Sequence, residues 1–179
     1  LGYSAPPEAL RGAVIERMQR LYGWRVEPAW VVFVSGVVPG LHLAARHLVR
    51  PDEHILVPTP VYHHLKRAAV LAAREHTDVP LVLSAGRWVF DEDRLKEAVR
   101  PNTRLLNLCN PQNPGGTIFT RAELARLAAF AQKHDLVICS DEIHADILLD
   151  EGKPHVPIAS LSPEASRRTV TLVSPNKAF

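Results

Sequence analysis

The sequence predicts an α/β fold in which a mainly parallel central sheet lies between two layers of helices, a three-layer αβα arrangement. Three observations lead there. Apolar runs of strand length alternate with longer helical patterns. Some runs are continuous, as in Val31-Val32-Phe33-Val34 and Leu136-Val137-Ile138-Cys139, which is how strands buried on both faces read. Prolines gather at element edges (Pro58, Pro60, Pro111, Pro114, Pro154, Pro157), where they stop strands and shape loops. Strands that alternate with helices imply βαβ units.

In chain order, strands are expected at Trp30–Ser35, His54–Val57, Leu81–Leu83, Arg104–Leu108, Leu136–Cys139 and Thr169–Val173. Helices are expected at roughly Pro6–Tyr22, Gly40–Leu48, Tyr62–Arg74, Asp91–Val99 and Arg121–His134. The last has the clearest start. Thr120-Arg121-Ala122-Glu123 reads as a capping box, and Leu124, Leu127, Ala128 and Ala131 follow as one apolar stripe.

Bulk properties narrow the function classes. At 179 residues the chain holds one domain with a sizeable core. Its 46% apolar and 22% charged residues are ordinary for a soluble globular protein. A net charge of +2, with basic residues scattered among acidic ones, argues against a nucleic-acid partner. No apolar stretch approaches the ~18 residues that cross a bilayer, and no signal peptide opens the chain. Cys109 and Cys139 lie in or beside apolar runs without a framework of spacings, which fits a reducing compartment and a cytoplasmic setting. The chain begins at Leu1 and stops at Ala178-Phe179, just after a strand-like run. It therefore reads as part of a longer protein.

Ligands on open α/β sheets bind beyond the carboxyl ends of the strands, so the residues after each buried run matter most. Ser35-Gly36-Val37-Val38-Pro39-Gly40 is a small-residue turn into a helix whose free N–H groups suit a phosphate; such glycines also serve plain turns. Asn110-Pro111-Gln112-Asn113-Pro114-Gly115-Gly116-Thr117 is a rigid loop that can hold an amide in a fixed direction. Asp141, in Ser140-Asp141-Glu142-Ile143-His144, leaves an apolar strand and needs a partner for its charge. A metal held by Asp141 and His144 lacks a third ligand at a familiar spacing. Lys177, in Ser174-Pro175-Asn176-Lys177, would by itself be a surface lysine. Together, a phosphate-ready turn, an oriented amide, a carboxylate and an amine match what pyridoxal 5'-phosphate (PLP) asks of a protein.

On these motifs the sequence resembles fold-type I PLP enzymes of the aminotransferase class I/II superfamily, and more closely the cystathionine β-lyases of the MalY/PatB type. The shared segments run from Leu1-Gly2-Tyr3 through Pro58-Thr59-Pro60-Val61-Tyr62 to Arg168–Phe179. The resemblance implies a PLP-binding large domain over residues 1–179, with an N-terminal segment and a C-terminal small domain lying outside it. It implies that Lys177 carries the cofactor as a Schiff base and moves the substrate Cα proton. Asp141 would pair with the pyridine nitrogen, Asn113 and His144 would serve the phenolic oxygen, and Tyr62 would stack on the ring. Gly36, Val37 and Val38 would offer N–H groups, and Ser174 its hydroxyl, to the phosphate. Tyr3 would reach the phosphate of a partner subunit in a homodimer.

Asn176, Ala178 and Gly115-Gly116-Thr117 depart from the usual pattern of these lyases, without removing a group the chemistry requires. The implied activity is α,β-elimination of cystathionine or a related cysteine S-conjugate. An aminotransferase shares every cofactor contact named, and a non-catalytic module of the same fold would have no need to keep Lys177, Asp141 and Asn113 together.

Overall fold

The computed structural model describes residues 7–150 and 152–178. Its strands are β1 His54–Thr59, β2 Glu75–Pro80, β3 Val82–Ser84, β4 Arg87–Val89, β5 Thr103–Cys109, β6 Val137–Asp141 and β7 Thr169–Leu172. Five of them form one sheet in the order β2-β1-β5-β6-β7, every neighbouring pair parallel. β3 and β4 make a separate antiparallel hairpin. The helices are α1 Glu8–Tyr22, α2 Val37–His47, α3 His63–Leu71, α4 Glu92–Ala98, α5 Arg121–Lys133 and α6 Pro163–Arg167.

The period-two alternation of side chains divides the sheet between two cores. Ile55, Val57, Leu105, Cys109 and Cys139 pack with Leu41, Ala45, Leu65 and Ala69 of α2 and α3. Leu56, Leu106, Leu108 and Ile138 pack on the opposite face with Leu95, Leu124, Leu127 and Ala131 of α4 and α5. Apolar runs that are continuous in sequence are thus shared between two helical layers, and the expected αβα sandwich is present. Asn107 interrupts the apolar run of β5; its side-chain amide donates to Leu65 O at 2.9 Å, tying the strand to α3.

Several expected elements change. Residues 31–34 form no strand: they follow a short 3-10 turn at Pro28–Trp30 and run straight into α2. Val32 is 75% exposed, whereas a strand buried on both faces would be covered. The reason is pairing, because no described strand lies alongside this segment to supply a ladder. With β7 and α2 it lines an apolar groove that includes Trp30, Val32, Leu43, Leu172 and Val173.

β2 was not foreseen, since Glu75-His76-Thr77-Asp78 has no apolar run. As the edge strand it buries only Val79 and can carry polar side chains. The expected Leu81–Leu83 strand is β3 of the small hairpin rather than a member of the main sheet. α5 keeps both halves of its capping box: Glu123 N bonds Thr120 Oγ1 at 3.2 Å, and Thr120 N bonds Glu123 Oε2 at 2.6 Å.

α2 begins at Val37, three residues before the expected start, which makes Gly36 its N-cap. Gly40 then lies inside the helix. A Cβ there would sit 2.9 Å from Leu172 Cδ2, so the missing side chain lets α2 approach β7 closely.

Candidate active site

The carboxyl ends of β1, β5, β6 and β7 open on one side of the sheet, and α2 and α3 begin there. Gly36 adopts φ +148°, a conformation that other residues rarely take. No side chain caps α2, and Pro39, its third residue, has no N–H. Gly36, Val37 and Val38 therefore present the uncommitted amides of the first turn, with the positive end of the helix dipole behind them. Tyr62, the N-cap of α3, is half-buried beside the α2–α3 core. Its ring lies 4.7 Å from His63 and 5.2 Å from His64.

The loop after β5 is held by residues whose importance the sequence reading missed. Asn110 is fully buried; its Nδ2 donates to Val156 O at 3.3 Å and its Oδ1 accepts from Phe119 N at 3.2 Å. Gln112, 3% exposed, donates through Nε2 to Pro60 O at 2.5 Å and accepts from Gly115 N at 2.6 Å. It thereby clamps the loop both to itself and to the exit of β1. Gly115 sits beneath Trp88, where a Cβ would lie 2.0 Å from Trp88 Cδ1. So braced, the loop presents Asn113, half-buried and with no side-chain hydrogen bond among the described residues. The signal that could have marked Gln112 was a long amide enclosed by two Asn-Pro pairs, in a loop too short to leave it exposed.

Asp141 is the last residue of β6 and is 3% exposed. The one hydrogen bond to its carboxylate among the described residues comes from Ile143 N, at 3.2 Å to Oδ1. Burial pushes its carboxyl up to about 6, with the nearby Glu142 charge adding to the rise; the Ile143 N–H and the Lys177 charge oppose it. Burial also pushes Cys109 and Cys139 up to about 12, helped by the Asp141 charge. Both thiols are thereby kept protonated and inert. His144 is half-buried, and burial together with the Lys177 charge holds its imidazole below the usual histidine range. Lys177 closes the 3-10 turn Pro175–Lys177 with its amine exposed. Ser174 caps that turn, donating to Asn176 Oδ1 at 2.9 Å, so its hydroxyl is engaged locally. Tyr3 lies outside the described residues.

A second buried polar group sits behind Asp141. Glu142 is 1% exposed and accepts from Ser140 Oγ at 2.7 Å, while its other oxygen lies 2.7 Å from His155 Nε2. Neither Glu142 nor His155 was singled out from the sequence.

A parallel sheet with helix-start amides, a buried carboxylate and an exposed amine on one side has the arrangement of a ligand site in an open α/β fold. The family model "Aminotransferase class I and II" matches residues 2–179, and the chain belongs to that family. Cystathionine beta-lyase PatB of Bacillus subtilis (strain 168) is 34% identical over 99% of this chain and 46% of its own length. The crystal structure of OvoB is 45% identical with a TM-score of 0.95, covering 99% of this chain and 47% of that one. Cystalysin from Treponema denticola, whose crystal structure contains pyridoxal 5'-phosphate, is 30% identical with a TM-score of 0.93; the match covers 100% of this chain and 45% of that one. The chain spans about half the length of the curated relatives it matches.

Proposed function

We propose that this chain is the cofactor-bearing part of a PLP-dependent carbon–sulfur lyase, which converts cystathionine or a related cysteine S-conjugate to a thiol, pyruvate and ammonia. The observation that carries the proposal is Asp141. A carboxylate 3% exposed, with one backbone N–H for company, is costly to bury unless a cation completes it. A protonated pyridine ring is such a cation. The uncapped start of α2, the uncommitted Asn113 amide and the exposed Lys177 amine fit the phosphate, phenolic oxygen and aldehyde of the same molecule.

When bound, PLP supplies an electron sink for negative charge developing at the substrate Cα. Asp141 holds the proton on the ring nitrogen that makes the sink effective. Lys177 would engage the aldehyde and, once freed by substrate, would take the proton from Cα. Asn113 and His144 would steady the phenolic oxygen, and Tyr62 would cover one face of the ring. Gly36, Val37 and Val38 hold the phosphate through N–H groups. Ser174 joins them if its hydroxyl turns from Asn176.

The relatives include β-lyases, among them PatB, which favours elimination; the family's own description keeps amino transfer as the second reading. A homodimer, with Tyr3 reaching the partner's phosphate, and a cytoplasmic setting in which Cys109 and Cys139 stay reduced, complete the proposal. Among the described residues no helix is long and apolar enough to cross a membrane.

The test is to incubate the whole protein with cystathionine and measure pyruvate. Pyruvate release is expected, together with a visible cofactor band that disappears in Lys177→Ala. Amino transfer to a 2-oxo acid without pyruvate would refute the lyase, and an unchanged band in Lys177→Ala would refute the lysine.

A further inference from the structure

Two carboxylates stand side by side at the end of β6, and the pleat sends them to opposite faces. Asp141 follows Cys139 toward the α2–α3 side, where the amides of α2 and the Tyr62 ring lie. Glu142 follows Ile138 and Ser140 toward the α4–α5 side. There it meets His155, which leads into the 3-10 turn Ile158–Leu161 packed against α5. The Glu142 and His155 side chains are each 1% exposed and lie 2.7 Å apart. His155 Nδ1 is buried without a partner among the described residues, and the ring's one hydrogen bond there is to Glu142. Tyr22, the last residue of α1, packs edge-on against that ring at 5.8 Å and 79°.

A buried carboxylate with two donors, Ser140 Oγ and His155 Nε2, has its lone pairs drawn away from its neighbour. The same contacts fix the backbone at Glu142, whose N–H bonds Leu172 O at 2.9 Å, and through it the direction of Asp141. The ionisable groups close enough to act on Asp141 are Glu142, Lys177, Cys109 and Cys139.

We infer that His155 and Glu142 are a positioning pair for Asp141: His155 holds Glu142 on the far face of the sheet, so that Asp141 alone meets the cofactor's ring nitrogen. This inference rests on the PLP reading given above. Neither residue touches the cofactor, so the effect must show in the cofactor's own properties.

The experiment compares whole-protein His155→Phe, His155→Gln and Glu142→Gln with wild type. It reads PLP affinity by titration and the pH midpoint of the visible cofactor band. His155→Phe keeps volume and loses the donor; PLP affinity should fall at least tenfold. His155→Gln can restore a donor to Glu142 and should stay within threefold of wild type. Glu142→Gln removes a negative charge near the ring, and the midpoint should move to lower pH. Wild-type affinity in His155→Phe, or equal damage in His155→Gln and His155→Phe, overturns the inference, because packing alone would then account for the histidine. If His155→Phe does not fold, an unmoved midpoint in Glu142→Gln overturns it instead. A wild-type protein that binds no PLP takes down the PLP reading first and this inference with it, whereas normal wild-type binding with unaffected variants refutes this inference alone.

Discussion

Replacing Asp141 by asparagine should make the cofactor-free protein more stable while disabling it. The carboxyl is pushed from 3.8 to about 6 by burial, so the folded state holds that proton more tightly than the unfolded state does. Above pH 6 the charged form is present in both states, and folding carries the cost of burying it. That cost is about 3 kcal/mol, at about 1.4 kcal/mol per tenfold change in proton affinity. As pH falls through 6 toward 3.8 the buried group takes up its proton first, and the cost fades. Asparagine carries no charge and can still accept from Ile143 N, but its new amide donors need acceptors, which returns about 1–3 kcal/mol. The expected gain at pH 7.5 is therefore about 0–2 kcal/mol, measured by urea unfolding of the cofactor-free whole protein. The gain should shrink or reverse at pH 4.5. With cofactor the sign inverts, because breaking a buried charge pair costs about 3–5 kcal/mol; turnover should fall by roughly 100- to 1000-fold or more. A variant less stable than wild type at pH 7.5, or a stability difference independent of pH, would refute the reasoning.

Two further outcomes test the frame around the site. Gly115→Ala must push against Trp88, 2.0 Å from the new Cβ, and should cost about 1–3 kcal/mol by overpacking; unchanged thermal unfolding would show that the loop yields freely. His54 is fully buried, with its ring nitrogens 2.9 Å from Thr103 Oγ1 and 2.8 Å from Thr77 Oγ1. Burial and the Arg100 charge push it down to about 4, so it stays neutral in the fold while the unfolded chain protonates near 6.5. Stability should drop as pH falls from 6.5 toward 4, on the order of 3 kcal/mol from this group, and His54→Gln should flatten that slope in chemical unfolding. An identical slope in the variant would exclude His54 as its source.

What could be read from the sequence followed the range of the forces involved. The α5 cap was legible because Thr120 and Glu123 are three residues apart and bond each other. The buried strands β5 and β6 were legible because two helical layers demand apolar residues on both faces. β2 was not, since an edge strand is held by its backbone ladder to β1 and needs little apolar surface. Residues 31–34 misled for the opposite reason: strand-forming side chains do not make a strand without a neighbour. In the site, Asp141, Asn113 and Lys177 were readable as chemistry at strand exits. Gln112, Glu142 and His155 were not, because Gln112 bonds Pro60 across 52 residues and Glu142 meets His155 across 13, and only the folded chain brings those partners together.

The order of the strands explains how so scattered a set comes to lie on one side of the sheet. Each group is set by a different connection: the α2 amides by the turn before the helix, Tyr62 by the exit of β1, Asn113 by the loop after β5, Asp141 by β6 and Lys177 by the turn after β7. Parallel strands bring all of these exits to the same edge, so the sheet supplies the proximity that sequence distance denies. Among the described residues the same geometry leaves a buried carboxylate without a cation, a helix start without a side-chain cap and an amine without a hydrogen-bond partner. A ligand that answers all three binds the folded state and has nothing comparable to bind in the unfolded one. Cofactor binding and folding stability are then linked, and the energy withheld by the unsatisfied site returns when the ligand arrives. Asp141 shows the principle most plainly: the burial that makes its charge costly in isolation removes competing water and strengthens its hold on a pyridinium proton.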